Sequence, residues 1–153
     1  MNEILFQGKR TFNGEFIEGD LIHGVNSKKG NIYILPIVSN LAKIPCCDPI
    51  DGCEVIPETV GIYIGISDKR GAKLFVGSIF SYTEHAGYNM SSFTAEVVFD
   101  KECASFGYRK LGSTTYGVKH EMIHHFCEHD ELSVDFLPYV EVIGNIHDKP
   151  LQP

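Results

Sequence analysis

The sequence predicts a mainly β fold, a coiled sheet or small barrel, with one short amphipathic helix. Three observations point there. Fifteen glycines, ten phenylalanines, seven tyrosines and no tryptophan among 153 residues suit strands and tight turns better than a helical bundle. Short runs of Ile, Phe, Tyr and Val recur between turn residues, which is the pattern of an all-β chain. Only one stretch, 118–132, spaces its apolar residues as a helix does.

The elements follow in order. Strands are expected at 4–6, 15–17, 21–23, 32–35, 60–66, 73–82, 93–99 and 140–143, where β-branched and aromatic residues cluster. Asn13-Gly14 and the Ser-Asp-Lys-Arg-Gly run ending at Gly71 read as hairpin turns, since glycine supplies the positive φ that short loops demand. A faint repeat sets Phe16-Ile-Glu-Gly-Asp-Leu-Ile22 over Leu74-Phe-Val-Gly-Ser-Ile-Phe80. It reads as a strand broken by a glycine bulge, which lets a sheet curl. Residues 43–58, KIPCCDPIDGCEVIPE, carry three prolines, a glycine and two aspartates beyond the cysteines, and read as a long ordered loop inside a single domain spanning 1–153. In 118–132 the apolar stripe is Val118, Met122, Ile123, Phe126, Cys127 and Leu132, with Glu121, Glu128, Asp130 and Glu131 opposite. That is an amphipathic helix laid on a sheet.

Charge and composition exclude several classes. With 43% hydrophobic and 22% charged residues the chain is not wholly disordered. Thirteen basic residues against twenty acidic ones, a formal charge of −7, argue against a nucleic-acid partner, whose affinity comes from neutralised phosphates. The balance leaves room for a basic protein partner or for mimicry of an acidic one. The basic pairs Lys9-Arg10, Lys28-Lys29, Lys69-Arg70 and Arg109-Lys110 are scattered and read as solvated loop tips. Glu3, Lys9 and Arg10 surround no apolar core of the kind a signal peptide has. No apolar run approaches the roughly 18 residues of a membrane span. Five cysteines, three of them at Cys46, Cys47 and Cys53, suit a reducing cytosol better than a disulfide scaffold.

The sharpest constellation is His120-Glu121-Met122-Ile123-His124, an H-E-x-x-H. On a helix His120 and His124 share a face with Cys127, a line of three zinc ligands. Glu121 would then be the general base of a zinc-dependent metallopeptidase-like hydrolase. His125 and His129 form a second such pair. Against the enzyme, no glycine and third histidine follow at metzincin spacing, and a downstream Glu141 falls inside an expected strand. The simpler reading is a helix face without metal, leaving His120, His124 and Cys127 as a candidate zinc set. Cys46, Cys47 and Cys53 are too loosely grouped for a zinc knuckle, and Ser113-Thr114-Thr115-Tyr116 has no base at a fixed offset. Phosphate-binding glycine loops and a G-x-S-x-G elbow are absent from the sequence. No catalytic residue and no cofactor is assigned.

Val55-Ile-Pro-Glu-Thr-Val-Gly-Ile-Tyr-Ile-Gly65, followed by Asp68-Lys69-Arg70-Gly71 and Leu74-Phe75-Val76-Gly77, resembles the core signature of YopX-like proteins. Glu141-Val-Ile-Gly-Asn-Ile-His-Asp-Lys-Pro-Leu151 is similar to the family's closing motif, and Ile4–Arg10 with Gly14–Ile22 to its N-terminal segment. The sequence departs from the pattern at Gly77-Ser78, where Gly-Asp is more usual; Gly19-Asp20 keeps that pair. The resemblance implies a small, mostly β, partly SH3-like barrel protein encoded by phages or prophages, with no assigned activity and no catalytic residues to carry over. The resulting expectation is a non-enzymatic accessory protein in the bacterial cytoplasm, acting by binding. Its partner would be a host or phage protein, or a small molecule such as a nucleotide signal, in phage–host interaction or counter-defence. Open strand edges and exposed aromatics further predict a homo-oligomer.

Overall fold

The computed structural model describes residues 3–24, 31–36, 51–112, 114–115, 118–119, 123–126 and 137–148. The chain divides into two units, Met1–Tyr63 and Ile64–Pro153.

In the first unit, β1 (Phe6–Lys9) and β2 (Phe16–His23) form a hairpin with Lys9 opposite Phe16. Its turn is the expected one: Gly14 has φ 72°, and Asn13 Oδ1 accepts the Glu15 N–H at 3.0 Å. β3 (Ile32–Pro36) pairs along β2, and β4 (Glu54–Val55) pairs along β3. Gly19 sits within a continuous β2, where an added Cβ would lie 1.8 Å from the Leu35 carbonyl oxygen. Gly77, its counterpart in the repeat, instead turns the chain at φ 99°. One glycine permits close approach and the other a tight turn, so the two segments do not share one geometry. The core gathers Ile17, Ile34, Cys53 and Val55. The expected loop 43–58 therefore supplies a strand and two core residues in its described part, 51–58. Cys46 and Cys47 lie outside the described residues.

β5 (Gly61–Ser67) carries the chain into the second unit, where β6 (Lys73–Phe75), β7 (Ser78–Ala86), β8 (Asn89–Asp100), β9 (Ser105–Lys110), β10 (Thr114–Thr115), β11 (Val118–Lys119), β12 (Ile123–His125) and β13 (Val140–Asn145) follow. The strands form a sheet ordered β4-β3-β2-β1-β5-β6, another ordered β12-β9-β8-β7-β13, and the ribbon β10-β11. All the paired registers are antiparallel. Both large sheets are open, ending on β4 and β6 and on β12 and β13. The SH3-like barrel implied by the resemblance is not formed among the described residues, because no first strand pairs with a last one.

The core of the second unit lies on one face of the five-stranded sheet: Phe80 and Tyr82 on β7, Ala95 and Val97 on β8, Tyr108 on β9, and Val140 on β13, with Leu74 and Phe126 packed against them. Ala95 stands directly across from Phe80 on one side and Lys110 on the other. Its small side chain leaves room for rings to close over it. Phe93 stacks on Tyr108 with centroids 5.6 Å apart and on Tyr82 at 4.9 Å, while Phe80 meets Phe93 and Tyr108 edge-on. Burial, then the hydrogen bond its hydroxyl donates to Glu84 at 2.6 Å, push the Tyr82 phenol up to about 12.

The helix expected over 118–132 is a second correction. Its described residues form β11, β12 and a 3-10 residue at Phe126. The free edge of β9 is the physical reason: it offers unpaired backbone groups, and pairing with them outweighs local helical spacing. Among the described residues no helix is long and apolar enough to cross a membrane.

Candidate functional site

Two constellations of polar side chains emerge from this sheet. The first holds β13 in place. Asp68 opens the turn after β5, and its carboxylate is fully buried. Oδ1 accepts the Arg70 and Ala72 N–H groups, each at 2.8 Å, and Oδ2 accepts the Val142 N–H at 2.9 Å. Lys69 N–H donates to the Val140 carbonyl at 3.2 Å, and Arg70 Nη2 to the Val142 carbonyl at 3.0 Å. Lys69 and Arg70 also flank Glu141 at 3.5 and 3.4 Å. The outward-facing backbone groups of Val140 and Val142 on this edge strand are thereby covered, a recognised way of blunting a sheet edge. Lys69-Arg70 is thus no idle loop tip. Burial raises the Asp68 carboxyl, but the N–H groups of Val142, Ala72 and Arg70 and the Arg70 guanidinium outweigh it and leave it below its ordinary value.

The closing segment is held by similar means. Asn145 N–H donates to Asp148 Oδ2 at 2.8 Å, Asn145 Oδ1 accepts the His147 N–H at 2.9 Å, and Ile146 N–H reaches the Gly77 carbonyl at 2.9 Å. At the departure from the family pattern, Ser78 Oγ accepts the Phe75 N–H at 3.0 Å. The hydroxyl meets this buried donor without burying a charge. Both arrangements serve the backbone.

The second constellation is the candidate site, at the far end of the β8–β9 hairpin. Asp100 is the last residue of β8 and pairs with Ser105. Its Oδ1 accepts the Glu102 N–H at 3.0 Å, which shapes the turn, and Ala104 completes the turn in the left-handed region at φ 51°. β12 lies on the other side of β9, with His124 opposite Tyr108 and His125 opposite Gly107. Successive strand residues face opposite ways. The His124 ring accordingly stacks on Tyr108 at 5.1 Å, and His125 takes the other face, its Nε2 2.7 Å from Asp100 Oδ2. Ligand atoms of Asp100, Cys103 and His125 all lie within 4.8 Å of one another. The His125 hydrogen bond first and the Glu102 N–H second hold the Asp100 carboxyl below its usual value against burial, with the Cys103 thiol adding a lesser pull in the same direction. Beside the cluster runs an open groove of about 420 Å³ lined by Phe99, Asp100, Lys101, Glu102 and Ile123.

Gly107 makes the pair possible. A Cβ there would lie 2.5 Å from the His124 carbonyl oxygen and 2.8 Å from Ile123 Cγ2, so only glycine lets β12 approach. Gly107→Ala is expected to push β12 outward, cost about 1–3 kcal/mol, and separate His125 from Asp100. Thermal melting together with the ring-proton NMR shifts of His125 checks both effects.

Of the zinc candidates read from the sequence, His124 faces the aromatic core side; His120, Glu121, Cys127 and His129 lie outside the described residues. The described strands do not supply the helical spacing on which that set was built. The Asp100–Cys103–His125 cluster escaped the sequence reading because Asp100 and His125 are 25 residues apart and meet only through the pairing of β9 with β12. The only local signal was an aspartate three residues before a cysteine in a turn.

Among curated proteins none matches the chain. In structure it is similar to the crystal structure of protein EF1440 from Enterococcus faecalis, at 15% identity and a TM-score of 0.47, over 96% of this chain and 95% of that one. The family model described as YopX protein matches residues 29–152. That span takes in both the Asp68–Gly71 turn and the closing strand that it grips, so the chain belongs to the YopX family.

Proposed function

We propose that the protein is a phage- or prophage-type accessory protein that works by binding a partner in phage–host interaction, and not by catalysis. The supporting observation is the groove at the end of the β8–β9 hairpin. Phe99 is 44% exposed there, its ring edge-on to Phe106 at 5.3 Å, and Lys101 and Glu102 line the same groove. An aromatic anchor rimmed by charge suits a protein interface, and an open groove suits docking better than water-excluding chemistry. The formal charge of −7 favours a partner surface that presents a basic side chain next to an apolar one. A homo-oligomer fits the same reading, but it would use a surface other than the outer edge of β13, which the Asp68–Arg70 turn covers.

The test is capture from a bacterial host lysate with the wild type and with a Phe99→Ala/Glu102→Lys variant. A partner retained by the wild type and lost by the folded variant is expected. Equal recovery by both, or no partner together with no ligand in native mass spectra, would sink the reading.

A further inference from the structure

We propose that Asp100, Cys103 and His125 form a binding site for a divalent transition-metal ion, zinc foremost. Asp100 also lines the neighbouring groove, but the docking reading rests on Phe99 and Glu102 and its test leaves all three donors in place.

The donor set is one that zinc accepts: a thiolate sulfur, an imidazole nitrogen and a carboxylate oxygen. The spacing fits as well. Ligands at about 2.0–2.3 Å from a tetrahedral ion stand roughly 3.3–3.6 Å from one another, and these donor atoms lie within 4.8 Å. His125 Nε2 and Asp100 Oδ2, 2.7 Å apart, need open by less than about 1 Å, which a side-chain rotation supplies.

Three features hold the donors ready. Asp100 and His125 stand on β8 and β12, joined through β9 by regular pairing. The left-handed Ala104 fixes the turn that carries Cys103. The Glu102 N–H on Asp100 Oδ1 orients the carboxylate and leaves Oδ2 for the ion, the outer-shell support that protein metal sites use. Cys103 is exposed, so a water has access to the fourth position. On binding, the ion takes the place of the Cys103 thiol proton and sits between His125 Nε2 and Asp100 Oδ2. The thiol proton goes to solvent and the single ring proton of neutral His125 sits on Nδ1, so affinity falls as pH falls.

The test uses the untagged full chain, stripped with chelator and titrated with zinc or cobalt(II). Native mass spectrometry counts ions per chain, and the cobalt complex reports the thiolate by its ligand-to-metal charge-transfer absorption. One ion per chain is expected. Cys103→Ser, at an exposed position that leaves folding intact, should abolish the thiolate band. Both Cys103→Ser and His125→Ala should weaken zinc by more than the roughly 10–100-fold typical of losing an outer-shell partner. A His120→Ala/Cys127→Ser variant should bind as the wild type does. No uptake by the wild type, full affinity in Cys103→Ser, or loss confined to the His120→Ala/Cys127→Ser variant would each overturn the assignment.

Discussion

Asp68→Asn is expected to lower the melting temperature by roughly 6–12 °C. The native carboxylate accepts three backbone N–H groups from Arg70, Ala72 and Val142. An amide retains one acceptor oxygen and turns an NH₂ toward the remaining donors. Hydrogen bonds to a charged group contribute about 1.5–3 kcal/mol, and a buried donor left unmet costs about 1–3 kcal/mol, so a net loss of about 3 kcal/mol follows. For a chain of this size each kcal/mol moves the midpoint by about 2–4 °C. The pH dependence has a fixed sign. The folded carboxyl titrates below its ordinary value, so its stabilisation is complete above the unfolded value of about 3.9 and fades as pH falls through the folded one. The gap between wild type and variant, measured by thermal melts from pH 7 to pH 3, should narrow at the acid end. A constant gap would show that Asp68 acts by shape alone.

Phe80→Ala should cost about 3–5 kcal/mol, the usual range for an aromatic removed from a core. Phe80 is fully buried and meets both Phe93 and Tyr108 edge-on. Ala95, directly across from it on β8, is too small to refill the space. Urea titration with a tyrosine fluorescence readout should show a lower midpoint with an unchanged slope. Phe80→Leu should recover part of the loss, since it restores most of the volume.

Much of the sheet framework was legible in the sequence. The runs at 60–66, 93–99 and 140–143 stand out because β-branched and aromatic residues cluster there; β8 and β13 cover the last two, and β5 takes in all of the first but Val60. The turn at Gly71 was legible for the same reason that it forms, a positive φ of 84°. β9 was not. Ser-Phe-Gly-Tyr-Arg-Lys breaks its alternation with a glycine and two cations, and two of these departures, Gly107 and Lys110, answer needs that only the assembled sheet reveals. Gly107 admits β12, and Lys110 lies over the Phe93 ring at 4.6 Å. The segment 118–132 misled because apolar residues three to five apart satisfy a helix as well as two short strands. The candidate site was hidden more deeply. Asp68 could be read as a turn residue, but its reach to Val142 could not, and Asp100 and His125 meet only across an unrecognised strand.

The grip of the Asp68–Arg70 turn on β13 has a kinetic corollary. Asp68 and Val142 are 74 residues apart in the chain, so this closure carries a large loop entropy and belongs late in folding. A nascent chain that has emerged only through β12 holds β7 without its β13 partner and Asp68 without the Val142 N–H. Until residues 140–145 arrive, the unit therefore passes through an interval in which an exposed β7 edge is open to chaperones, to proteases and to mispairing with other chains.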